Sequence, residues 1–64
     1  MWVPSIQILL FEGRTIDQKR KLVESVTNAV VDSLGTQRNA VKITIIEIPK
    51  TNYAQAGVLS SDKK

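Results

Sequence analysis

Neither histidine nor cysteine occurs in the 64 residues, which removes the side chains that most often move protons or attack carbonyl carbons near neutral pH. A Ser-His or Cys-His nucleophile cannot form within one chain, and a histidine-based metal site is equally absent. Six carboxylates remain. Of these, only Glu12 and Glu47 fall at or beside the ends of apolar runs, where surface charges and salt-bridge partners are also found. Acid–base chemistry would need another base.

The elements that must hold any site are legible from periodicity. Ile6, Ile8 and Leu10 alternate with Ser5, Gln7, Leu9 and Phe11, the period of a strand. Gly13 breaks it. Thr15-Ile16-Asp17-Gln18 then offers a capping box, with the Thr15 hydroxyl accepting from the Gln18 amide while Gln18 reaches back. A helix is expected from about Ile16, with Ile16, Leu22, Val23, Val26, Ala29, Val30 and Leu34 on its apolar face and Gly35 as left-handed cap. A second strand spans about Val41 to Ile48 and stops at Pro49, with Val41, Ile43 and Ile45 on one face and Lys42, Thr44, Ile46 and Ile48 on the other. Thr51 to Gly57 reads as a turn-rich connection, and Val58-Leu59 as a short edge strand.

These elements predict an α+β chain: a single β-α-β unit with its two strands parallel. One helix covers one sheet face, leaving Leu9, Phe11, Ile46 and Ile48 exposed on the other, and such a patch predicts association. Length points the same way. A chain this short buries only about 60% of the surface that its unfolded form exposes, and without disulfides or a metal it is expected to be completed by oligomerisation.

The formal charge of +3 is concentrated in Lys19-Arg20-Lys21 and Lys63-Lys64. With only Trp2, Phe11 and Tyr53 as aromatics and none among the cations, these runs read as a solvated helix face and a tail rather than a nucleic-acid surface. Small anionic substrates remain attractive partners. No apolar run approaches about 18 residues and no signal-like segment is visible, so no membrane contact and a cytoplasmic location are expected. The lack of cysteine fits a reducing compartment.

From Pro4 to about Ser60, the strand closing in Glu12-Gly13-Arg14, the Thr15-led helix and the second apolar strand resemble the 4-oxalocrotonate tautomerase (2-hydroxymuconate tautomerase) family without a gap. In that family the proline is the free amino terminus, and its secondary amine is the catalytic base. Burial and nearby cations draw such an amine's pKa toward neutrality. The resemblance puts Pro4 on that base and Arg14 on the arginine that a neighbouring subunit supplies to a substrate carboxylate. Lys42 falls where the most active members carry a second arginine for the other carboxylate and the 2-keto oxygen. Tyr53 falls on the aromatic that makes the pocket apolar, and Phe11 on a position whose backbone faces substrate. Lysine lacks the planar fork of arginine, and tyrosine adds a hydroxyl to the expected phenylalanine.

The resemblance therefore implies an isomerase of the kind used in aromatic degradation. It would be a keto–enol tautomerase of a small unsaturated 2-hydroxy or 2-keto dicarboxylate, needing no cofactor and assembled as a homohexamer, a trimer of dimers. Hydration or dehalogenation of a small unsaturated acid is the alternative on the same scaffold. A non-enzymatic oligomer with a blocked proline is the other.

The blocking group is Met1-Trp2-Val3, a three-residue extension ahead of a tautomerase-like domain at 4–60 and a flexible tail at 61–64. Joined to Val3, the Pro4 nitrogen is a tertiary amide with essentially no basicity near neutral pH. Initiator methionine is normally trimmed only before a small residue, and Trp2 is large. Met1 is therefore expected to stay, and the extension, about 10 Å at full stretch, to carry an indole to the pocket mouth. A second expectation follows from Val3, because GUG is a valine codon that also serves as a start. Translation from there would give Met-Pro, from which methionine is readily removed.

Overall fold

The computed structural model describes residues 3–63; Met1 and Trp2, whose indole was expected at the pocket mouth, lie outside the described residues. Four strands and one helix run in the order β1 (Ser5–Phe11), α1 (Ile16–Leu34), β2 (Lys42–Ile48), β3 (Ala54–Gln55) and β4 (Val58–Leu59). β1 and β2 pair in parallel from Ser5 opposite Lys42 to Phe11 opposite Ile48. The β-α-β unit is as the periodicity predicted.

Helix α1 has both expected caps. The Gln18 amide donates to Thr15 Oγ1 at 3.1 Å while the Thr15 amide donates to Gln18 Oε1 at 3.0 Å. Gly35, at φ 67°, donates to the Val31 carbonyl, a left-handed closure that glycine adopts at least cost. The helix face toward the sheet differs from the expected one. Lys19, Leu22, Val23, Val26, Thr27, Val30 and Val31 are half-buried, whereas Ala29 is exposed and Ile16 and Leu34 are 59% and 52% exposed. The apolar stripe over-reached at both ends because the helix is longer than the two strands can cover.

β2 starts one residue later than expected. The Val41 amide closes a 3₁₀ turn over Arg38–Ala40 by donating to the Arg38 carbonyl, so the ladder begins with Lys42. Val58-Leu59 is the expected short strand, and its partner is Ala54-Gln55, with which it forms a small antiparallel hairpin separate from the main sheet. Ala56 and Gly57 carry φ values of 54° and 79°, the double left-handed pair of a tight hairpin turn that folds the segment back on itself.

The register divides the sheet into two faces. Ile6, Ile8, Leu10, Ile43, Ile45 and Glu47 face the helix; Leu9, Phe11, Ile46 and Ile48 share the other side with Lys42. Leu9 is 64% exposed. Among the described residues no side chain of the single chain is fully buried, and Pro4 alone is buried rather than half-buried or exposed. The accessible surface is 5177 Å², against about 4,100 Å² for a compact monomer of this mass. The radius of gyration, 15.1 Å, exceeds the about 11 Å of a compact 64-residue domain. One chain does not make a closed core.

Candidate active site

Pro4 precedes β1 and is buried. With no N–H to contribute, proline suits the first position of a strand, and its carbonyl instead accepts the Lys42 amide at 3.1 Å. Val3, Ser5, Ile6, Val30 and Leu34 join it around a depression of about 420 Å³ at the C-terminal end of α1. Lys42 stands at the same end of the sheet, opposite Ser5 on the face that the helix leaves open. Pro4 and Lys42 are therefore together.

The other three candidates lie at the far end. Phe11 closes β1, and its ring meets Tyr53 edge-on, with centroids 5.7 Å apart and planes at 78°. Such a pair is worth about 0.5–1.5 kcal/mol beyond burial. Leu9, Leu10 and Ile48 complete an apolar concavity of about 380 Å³ around the two rings. Arg14 follows Gly13, whose φ of 118° turns the chain out of the strand. It lines a neighbouring depression of about 200 Å³ with Leu10, Gln18, Lys19 and Leu22.

β1 separates the two groups. Its seven residues span about 20 Å at the usual strand rise, which no small dicarboxylate bridges. Within one chain, Pro4 and Lys42 form one half of the predicted constellation and Arg14, Phe11 and Tyr53 the other.

The chain has known relatives. The sequence profile of the family described as "Tautomerase enzyme" matches residues 4–63. The chain belongs to the tautomerase family. A 2-hydroxymuconate tautomerase of Bacillus subtilis is 42% identical over 60 residues, 94% of this chain and 97% of that relative. The crystal structure of YwhB, a homologue of 4-oxalocrotonate tautomerase, superposes with a TM-score of 0.92 at 41% identity, covering 95% of this chain and all of the other. A heterohexamer 4-oxalocrotonate tautomerase from Chloroflexus aurantiacus shares the fold at a TM-score of 0.91 and 22% identity, over 97% of this chain and 100% of its own.

In this tautomerase-family chain, one pair of charges escaped the reading of the sequence. Lys19 Nζ meets Glu47 Oε1 at 2.5 Å, with the two side chains 22% and 33% exposed. Lys19 thus belongs to the packed side of the helix and not to a solvated face, which corrects the expectation for that member of the cationic run. A signal for it was present: Glu47 continues the alternation of Ile43 and Ile45, so its carboxylate must face the helix, and a charge there needs a cation. Lys21 is exposed, and Arg20 pairs with Asp17 at 2.8 Å on the exposed side. Among the described residues no helix is long and apolar enough to cross a membrane, and no three potential metal ligands cluster.

Proposed function

We propose that this chain is a proton-transferring isomerase that interconverts keto and enol forms of a small unsaturated dicarboxylate of the 2-hydroxymuconate type. Pro4 is the general base when it is the amino terminus. Its amine takes a proton from the 2-hydroxyl group, and the same proton is returned to a distal carbon of the conjugated system, so the reaction is balanced without a cofactor. Lys42 holds the 2-keto oxygen and adjacent carboxylate as a point charge. Arg14 of a neighbouring copy binds the other carboxylate, and the Phe11–Tyr53 pair excludes water from the conjugated chain.

The observation that carries this reading is the split constellation: a buried Pro4 beside Lys42 at one end of β1, and Arg14 with an aromatic pair at the other. Two copies meeting through the open sheet face, end to opposite end, complete one site from two halves. A homohexamer built as three dimers is the assembly proposed, since family resemblance, incomplete burial and shared site all favour association.

A second reading rests on one observation, the bond between Val3 and Pro4. A chain that keeps it has no basic nitrogen at Pro4 and is an oligomer without tautomerase activity. Turnover of 2-hydroxymuconate by chains starting at Met1 and at Pro4 separates the two. The isomerase reading requires activity in the shorter chain; silence in both on every small enol acid would leave the non-enzymatic oligomer.

A further inference from the structure

We infer that Lys19 is a positioning residue that occupies the Glu47 carboxylate and so keeps the Arg14 guanidinium free for an anionic substrate. The inference rests on the reading of Arg14 as a carboxylate-binding group, and it concerns how that group stays available.

Arg14 is held at a fixed place by its neighbours in sequence. Upstream, the Glu12 amide donates to the Ile48 carbonyl at 3.0 Å and extends the β1–β2 ladder by one rung. Downstream, the reciprocal Thr15–Gln18 bonds lock the start of α1. Only Gly13 and Arg14 lie between. The Arg14 side chain itself is exposed and has no ion-pair or hydrogen-bond partner among the described residues.

Three carboxylates belong to the segments that lead to Arg14 or pair with them: Glu12 and Asp17 in sequence, and Glu47 opposite Leu10 across the ladder. Asp17 is taken by Arg20 and Glu47 by Lys19, so cations from the first two turns of α1 satisfy two of the three. Glu12 sits on the exposed strand end without a cation among the described residues. Glu47 is the strongest competitor. Its carboxylate faces the helix, two-thirds shielded from water, where a free charge is costly and an attraction is screened less than at the surface. Lys19, whose Nζ meets Glu47, lines a depression of about 200 Å³ together with Arg14, so removal of the Lys19 charge leaves Arg14 as the one cation lining it. Arginine would bind Glu47 well, since its planar fork matches a carboxylate.

The test reads Arg14 directly, in the full-length chain and without any turnover. The ¹⁵Nε–Hε resonance of Arg14 reports ion pairing of its guanidinium. In Lys19→Met, which keeps an unbranched stem of similar length, that resonance should shift and its exchange with water should slow about twofold to fivefold, the range that an ion pair of such exposure supports. In Lys19→Met/Glu47→Gln both should return to the wild-type values, because no carboxylate is left to capture Arg14. Lys19→Arg should leave them unchanged. Should the methionine variant fail to fold, Lys19→Gln and its double variant carry the same comparison. An Arg14 signal that ignores loss of the Lys19 charge overturns the proposal, as does a shift that persists in the double variant or appears equally in Lys19→Arg. Failure of the isomerase reading would instead appear as absent turnover in the chain starting at Pro4, while the Arg14 resonances still respond to Lys19→Met and recover in the double variant.

Discussion

The Lys42 amide donates to the Pro4 carbonyl at 3.1 Å, and this first rung of the parallel ladder ties two candidate site residues to one end of the sheet. Parallel pairing has a second consequence. Because both strands run the same way, the loop carrying Arg14 and the segment carrying Tyr53 both leave from the opposite end. A β-α-β unit of this size thus separates the two groups of candidate residues by the length of a strand, and within one chain they do not meet.

Association is the first prediction. With no apolar side chain besides Pro4 buried among the described residues, a folded single chain lacks the core that offsets its conformational entropy. Sedimentation at micromolar concentration should find a homo-oligomer, with the hexamer expected. A stable folded monomer would remove the shared site along with the assembly.

Arg14→Ala should cost activity far more than stability. The side chain is exposed and makes no ion pair among the described residues, so unfolding should change little. A charge-assisted contact to a substrate carboxylate is worth about 1.5–3 kcal/mol, and kcat/KM on a dicarboxylate should fall about tenfold to a hundredfold in the active chain. Parallel losses in melting temperature and kcat/KM would make Arg14 a structural charge.

Lys42→Arg should improve turnover of 2-keto dicarboxylates. The position lies on the open face beside Pro4, and the substitution restores a fork that grips carboxylate and keto oxygen together. The comparison is kcat/KM of the two proteins on the same 2-keto acid. A decrease would mean that the pocket is shaped around the compact ammonium group and another substrate.

Thr15→Ala should destabilise the protein by about 1 kcal/mol, the usual worth of an N-cap. Both halves of the capping box are formed here, and the loss also releases the residue that follows Arg14. Denaturant unfolding measures the first effect. A KM for dicarboxylate that rises by more than the stability loss explains would report the second.

Strands β1 and β2, the helix and its two caps were legible because each rests on a local pattern: alternation, a Thr-x-x-Gln box, a glycine after the last turn. The hairpin was not, since Ala56-Gly57 lacks the Asn-Gly or Asp-Gly that announces two left-handed residues, and β3 and β4 are two residues each. Ile16 and Leu34 were assigned to the packed face because periodicity cannot tell where a sheet stops beneath a helix. The candidate residues themselves came from a resemblance, and nothing in their spacing revealed that Pro4 and Lys42 stand apart from Arg14, Phe11 and Tyr53. That separation follows from strand direction and register, which are properties of pairing and not of either segment alone.

The last prediction concerns the bond ahead of Pro4. Val3 lines the same depression as Pro4, and its acyl group makes the Pro4 nitrogen an amide, so a chain starting at Met1 holds the scaffold without the base. Cutting to Pro4 converts that amide into a secondary amine beside the Lys42 backbone, and only the amine can accept a proton. General-base assistance is typically worth about 10² to 10⁴ in rate, so turnover of 2-hydroxymuconate should rise by a factor of that order on trimming. Pro4→Ala in the trimmed chain provides the control, because a primary amine retains some basicity but alters its pKa and position, and an intermediate rate is expected. The pH–rate profile of the trimmed chain should lose activity as pH falls through the amine pKa, since the protonated form cannot accept the substrate proton. Equal, measurable activity in chains starting at Met1 and Pro4 would mean that Pro4 is not the base, and the role would then pass to a side chain common to both.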